Sequence, residues 1–239
     1  MVWGDGELAG AQRAPLQVAT AVTGGDCRGA RCAPAIPPSY DGVDANELAI
    51  RLGVPTVVLY DTVPSTMDIA HTLAQDGTPA GTLVLADQQT SGRGQHGRSW
   101  LSAAGAGIWL TLIERPADTS GADILSLRVG LCIAEVLDPF AGARVRVKRP
   151  NDLYVAAGKV GGILTEARWH GERLAWVAVG VGVNTIVPVD VPGAAALPAH
   201  TSRIDVLTAL VPALRAGVAT RGVLTADELQ ALAAREVHA

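Results

Sequence analysis

The sequence predicts an α+β fold, a mixed and largely antiparallel sheet covered on one face by helices. Three observations carry that expectation. Segments of strand character outnumber helical ones and follow a mixed order along the chain. Two long strand-like runs, 159–169 and 172–184, are joined only through His170–Gly171, the spacing of an antiparallel hairpin. The segment 122–140 repeats apolar residues at helical spacing and is long enough to be the main core helix.

The elements follow from local chemistry. Residues 44–53 read as a short helix that stops at Gly53, and 56–60 as a strand. Ser65 and Thr66 open a helix that runs to Gly77. The apolar run 82–88 is a buried strand leading into a loop, and 107–114 is another strand. Pro139 is expected to end the long helix, because proline has no N–H to donate. Residues 143–148 alternate as a strand, and "RPNDLY" reads as a turn. After a Pro/Ala-rich loop, helices at about 203–217 and 225–237 close the chain, with Thr225 as an N-cap.

Composition narrows the function classes. The chain has 239 residues, a length that fits one large domain or one domain with an extra segment. A net charge of −4 argues against nucleic acid as the main partner, since DNA binders show a basic face. No apolar run is long enough to cross a bilayer, so no membrane role is expected. Residues 1–43 are rich in Gly, Pro, Ala and Arg without helical or strand period, and are expected to be a disordered extension with no DNA-binding domain. Residues 44–239 then form the functional domain. Cys27, Cys32 and Cys132 are too few and too scattered for a disulfide framework, which points to a reducing cytoplasm.

Four segments carry candidate chemistry. Ser65–Thr66 is either a helix cap or a ligand contact. Gln89 leads into "TSGRGQHGRSW", 90–100, which sets Gly92, Gly94 and Gly97 beside Arg93 and Arg98. Bare backbone amides and guanidinium groups together suit an anionic ligand, and the stretch is neither a phosphate-binding P-loop nor a dinucleotide fingerprint. In "KRPNDLYVAAGKVGGIL", 148–164, Pro-Asn-Asp alone is a common turn, but Lys148 precedes it and Lys159 stands next to Gly161 and Gly162. Glycine weakens strands, so this run makes sense if backbone and ammonium must both approach a ligand. In "AVGVGVNT", 178–185, alternating glycine is either a barrel-like bend or a floor under a flat ring.

Taken in order, "PSTMD", "DQQTSGRGQHGRSW", "KRPNDLYVAAGKVGGIL" and "VGVGVNT" resemble the catalytic domain of biotin–protein ligases, over about Val57 to Asn184. The resemblance implies a biotin/lipoate ligase fold of the class II synthetase type. It also implies ATP-dependent, AMP-forming attachment of biotin to a lysine of a biotin carboxyl carrier protein, through biotinyl-5'-adenylate. It implies that Ser65, Thr66 and Gln89 hold the ureido ring, with Arg93, Gly94, Gln95 and Gly161 lining the same pocket. Lys159 would contact the biotin carboxylate and α-phosphate, and with Arg98 and Asp152 would form the catalytic set. Arg98, Trp100, Lys148, Asn151 and Asn184 would serve the nucleotide, with Mg²⁺ bridging phosphates and no protein metal site assigned.

The chain departs from the family pattern at two positions. Gln95 stands where these ligases carry a second loop arginine, which predicts weaker retention of the adenylate, by about 1.5–3 kcal/mol for one charged hydrogen bond. Arg149 replaces a tryptophan after Lys148. The small β-barrel domain that many ligases carry is not evident after the catalytic segment. The alternatives are a non-catalytic biotin-binding module and a lipoate or octanoyl transferase. Whether the chain forms a homodimer stays open.

Overall fold

A computed structural model describes residues 38–237; Cys27, Cys32 and most of the expected N-terminal extension lie outside the described residues. Five helices and seven strands are described: α1 Ala45–Leu52, β1 Thr56–Val63, α2 Thr66–Gln75, β2 Thr82–Gln89, β3 Gly107–Glu114, α3 Leu125–Ala141, β4 Arg146–Lys148, β5 Asp152–Val155, β6 Gly158–His170, β7 Arg173–Asn184, α4 Arg203–Ala219 and α5 Ala226–Ala233. The strands form one sheet in the order β1-β2-β3-β7-β6-β5-β4. Only β1 and β2 run parallel; the other neighbours are antiparallel, so the mixed, largely antiparallel α+β expectation holds. Among the described residues, no helix is long and apolar enough to cross a membrane.

Strand alternation divides the sheet into two unlike faces. Leu83, Leu85, Ile108, Leu110, Leu112 and the valines at 177, 179, 181 and 183 point to one side, into a core shared with α1, α3, α4 and α5. On the other side, Met67, Ala70 and Ala74 of α2 pack on Val84, Ile113 and Ala178. The expectation of one covered face is therefore corrected: α2 covers part of the second face, because its own apolar stripe needs burial as much as the others do. The rest of that second face, where Gly162, Gly180 and Gly182 replace large side chains, is left for the cavity described below.

Several boundaries also differ. Pro139 lies inside α3, which continues to Ala141 and closes at Gly142 in the left-handed region. Proline costs one backbone hydrogen bond there, but burial of Ala141 in the core favours keeping the last turn. The segment read as a turn contains β5, and the strand before it is shortened to Arg146–Lys148. The last helix stops at Ala233, and Val147 N–H donates to Arg235 O at 2.9 Å while Val237 N–H donates to Val147 O at 2.9 Å. Residues 235–237 thus cover the edge strand β4, whose backbone groups would otherwise be open. The folded part begins before 44: Tyr40 is buried in the core and donates from its hydroxyl to Gly107 O at 3.0 Å.

Candidate functional site

A cavity of about 320 Å³ opens on the second sheet face, between the start of α2, the loop after β2, and the β4–β5–β6 corner. Its floor is made by the pattern of β7. Valines at 179, 181 and 183 fill the helical core while Gly180 and Gly182 leave the opposite face bare. A Cβ on Gly182 would come 2.7 Å from Trp100 Nε1, so the indole lies directly on that floor. The Trp100 Nε1–H is buried and has no acceptor among the described residues.

The inner end of the cavity is polar but uncharged. Ser65 and Thr66 are buried at the start of α2, and the Ser65 hydroxyl accepts from Met67 N–H, so both the cap and the cavity-wall roles apply. Gln89 Oε1 accepts from Thr66 N–H at 2.8 Å and from Thr66 Oγ1 at 3.1 Å. Gln89 Nε2 donates to Ser102 Oγ at 2.8 Å, and Thr66 Oγ1 lies 2.9 Å from Thr111 Oγ1. This network fixes the rotamers of every group at that end. Thr111 and Ser102 were not singled out from the sequence. Thr111 was detectable as the one hydroxyl in the otherwise apolar core of β3.

The outer end is cationic. Lys159 Nζ lies 2.6 Å from Asp152 Oδ1 and 5.1 Å from the centre of the Trp100 ring. Arg98, Lys148 and Arg149 are exposed residues on the same wall. Lys148 Nζ lies 5.7 Å over the Tyr154 ring, while Arg149 Nε pairs with Glu236 at 2.6 Å. Asn151 lines the cavity and donates from Nδ2 to Ile163 O at 2.7 Å, pinning the β4–β5 corner onto β6.

Lys159 reaches this wall because β6 is irregular. Asp152, Leu153 and Tyr154 of β5 pair with Gly162, Gly161 and Lys159, so Val160 is an extra residue on β6. A bulge of this kind reverses which face the following side chains take. Lys159 and Gly162 consequently share the cavity face; a Cβ on Gly162 would lie 3.6 Å from Lys159 Cε. Gly161 turns the other way, where a Cβ would meet Gly182 O at 2.8 Å. Gly161, expected at the ligand pocket, thus serves close backbone packing at the bulge, and Gly162 is the glycine of this pair that lines the cavity.

The loop 92–100 folds back on itself as a narrow lobe. Gly94 N–H donates to Arg98 O at 2.8 Å and Trp100 N–H to Gly92 O at 2.8 Å. A Cβ at Gly92 would lie 2.4 Å from Trp100 O, so no other residue fits that crossing. Arg93, Gly94, Gln95 and His96 line the cavity, and His96 takes a left-handed φ of 57°. The Arg93 guanidinium is not a free cation: it lies 2.7 Å from Asp68 and 3.5 Å from Glu166.

A model of the biotin/lipoate A/B protein ligase family matches residues 59–184, more than half of the chain. The chain belongs to that family. The bifunctional ligase/repressor BirA of Bacillus spizizenii is 38% identical over 146 residues, covering 58% of this chain and 45% of that protein. The biotin–[acetyl-CoA-carboxylase] ligase of Paracoccus denitrificans is 41% identical over 113 residues, 45% of this chain and 46% of that protein. The chain thus spans about half the length of these curated relatives. Among solved structures, the biotin protein ligase from Aquifex aeolicus in complex with biotin and ATP matches with 27% identity. Its TM-score is 0.56, over 68% of this chain and 69% of that one.

Within this biotin/lipoate ligase domain, the cavity gathers all but two of the residues to which the sequence assigns a catalytic or ligand-binding role. Gly161 is one exception, for the reason given. Asn184, expected at the nucleotide, is the other: it is buried at the end of β7 and donates from Nδ2 to Ala195 O at 2.9 Å. Ala195 N–H in turn donates to Lys159 O at 2.8 Å, so Asn184 braces the segment that flanks Lys159 and does not itself line the cavity.

Proposed function

We propose that this domain joins biotin to ATP to give biotinyl-5'-adenylate and pyrophosphate, and then passes the biotinyl group to a lysine of a biotin carboxyl carrier protein. The observation that carries this reading is the two-ended cavity. Its inner end offers neutral hydrogen-bonding groups, its middle the Trp100 indole seated on glycine, and its outer end cations. That sequence of surfaces suits a molecule with a polar uncharged head, an apolar tail and a carboxylate, which describes biotin.

In this mechanism Ser65, Thr66 and Gln89 hold the ureido ring, with backbone around Arg93, Gly94 and Gln95 closing over it. Trp100, seated on Gly182, packs beside the tail and steadies the nucleotide side of the loop. The reaction brings two anions together in line, so the site has to supply positioning and positive charge more than a base. Lys159 stands between carboxylate and α-phosphate, with Asp152 orienting its ammonium group and Arg98 and Lys148 meeting the phosphates. The biotin carboxylate oxygen bonds to the α-phosphorus as pyrophosphate leaves; the carrier lysine amine then attacks the acyl carbon as AMP leaves. Among the described residues no three His, Cys, Asp or Glu side chains converge into a metal site. Asp152 is the one carboxylate on the cavity wall. A magnesium ion fits this donor set as a companion of the nucleotide phosphates, neutralising their charge, not as an ion caged by protein. Biotin, ATP and the carrier are the partners in this reading, which sets the reaction in the cytoplasm and gives no role to nucleic acid or membrane.

Gly182→Val is expected to weaken biotin binding by about tenfold to a hundredfold, since overpacking costs roughly 1–3 kcal/mol and here it displaces the Trp100 indole from its seat on the cavity floor. Titration of the variant with biotin, followed by tryptophan fluorescence, checks this; unchanged affinity would show that the seating of Trp100 on Gly182 does not shape the biotin site. The reading as a whole is tested by incubating the protein with ATP, Mg²⁺, biotin and a carrier fragment and weighing the fragment. A single biotinyl addition at one lysine is the expected result. Tight biotin binding with no modified carrier would instead identify a non-catalytic binding module.

A further inference from the structure

The relay behind Arg93 lies outside the cavity and has no part in the mechanism above. Trp176 Nε1–H donates to His71 Nδ1 at 3.0 Å, so that nitrogen is an acceptor and the ring proton sits on Nε2. His71 Nε2 then donates to Glu166 Oε2 at 2.9 Å. The other oxygen, Glu166 Oε1, lies 3.5 Å from Arg93 Nη2, and Asp68 Oδ1 lies 2.7 Å from the same nitrogen. Trp176 is buried, and Arg115 stacks over it at 5.7 Å, so the far end of the relay is packed in place. An isolated pair of exposed charges contributes little, because two long side chains must be held in place. Here that cost falls mainly on Arg93, since Glu166 is oriented by His71, and Asp68 sits on the rigid first turn of α2.

We infer that Asp68 and Glu166 are positioning residues that clamp Arg93 and so hold the glycine–arginine loop closed over the cavity before any ligand arrives. The clamp joins three separate elements, α2, β6 and the loop, and the loop touches the sheet face nowhere else through a charged side chain among the described residues. A preformed loop does not have to be ordered on binding, which lowers the entropic cost of retaining a ligand beneath it. Resting on the function proposed above, the clamp sets how slowly biotin and its adenylate leave.

The test uses the double variant Asp68→Asn/Glu166→Gln, which removes both charges while leaving an acceptor for His71. Trypsin cleavage after Arg98 in the ligand-free protein reports loop opening without reference to any ligand. It is expected to quicken about tenfold, with the unfolding midpoint close to wild type. The conservative Asp68→Glu should keep wild-type protection. Dissociation of labelled biotin should quicken by a similar factor. Unchanged cleavage overturns the clamp, and faster cleavage with unchanged biotin dissociation overturns its role in retention. A wild-type protein that binds no biotin refutes the proposed function instead, and the cleavage comparison still decides the clamp.

Discussion

Lys159→Ala is expected to slow formation of the biotinyl-adenylate by about a hundredfold to a thousandfold, the usual cost of removing one group that stabilises developing charge in a preorganised site. Both Lys159 and Asp152 are partly exposed at the cavity wall and neither belongs to the hydrophobic core, so the fold should survive the loss of this pair. The substitution has a second consequence. Without the ammonium group 2.6 Å away, the Asp152 carboxylate faces the cavity alone and repels both anionic substrates. Adding Asp152→Asn to Lys159→Ala should therefore recover part of the lost rate. Single-turnover quenching with labelled ATP separates these effects from substrate binding, and wild-type turnover in Lys159→Ala would refute the assigned role.

The largest expected change in stability is at Glu228→Ala. Arg128 on α3 is almost wholly buried, and its charge is met by Glu228 on α5, with Nε 2.7 Å from Oε1. Its Nη2 also donates to the carbonyl oxygens of Gly222 and Val223. Removing the carboxylate leaves a buried guanidinium without a counter-charge, which costs about 3 kcal/mol or more, and also deletes the N3 partner of the Thr225 capping box. For a domain of this size that corresponds to a fall in Tm on the order of 6–12 °C, readable by calorimetry. Activity per folded molecule should change little, because α5 lies on the face opposite the cavity.

The same residue contributes to acid sensitivity. The hydrogen bond from Arg128 holds the Glu228 carboxyl below its ordinary range, outweighing the opposing effect of burial. Asp138 is also depressed: burial raises it, but Arg235 and the Val145 N–H together prevail. A carboxyl whose folded value lies below its unfolded value of about 4 contributes stability that is complete above that value and is lost as pH falls through the folded one. The protein is thus expected to lose stability below about pH 4, and Glu228→Ala should show a shallower acid limb.

Much of the architecture is legible in the sequence because it rests on period and punctuation. The alternation in β7, the helical spacing in α3, and the paired runs around His170–Gly171 each have a single compatible structure. Short pieces are not so determined. Asp152–Val155 is four residues long and starts on the Asp of Pro-Asn-Asp, so turn chemistry masks a strand whose existence depends on pairing with β6. Placing α2 on the second sheet face likewise needs tertiary information, since an apolar stripe does not say which face it will meet. In the site, residue types and spacing identify Lys159, Gln89 and the loop arginines. They do not reveal the bulge at Val160, which exchanges the facing of Gly161 and Gly162, or the hydrogen bond that turns Asn184 toward Ala195. Nor does the loop sequence disclose that Arg93 is matched by carboxylates on two other elements.

In the proposed reaction the cationic wall around Lys159 lets a carboxylate beside Trp100 attack the innermost phosphorus of a nucleotide. Exchange of labelled pyrophosphate into ATP isolates that step, because it needs no carrier protein. Exchange is expected to require biotin and Mg²⁺ and to be lost in Lys159→Ala. A folded protein that binds biotin and ATP together yet supports no biotin-dependent exchange would contradict it.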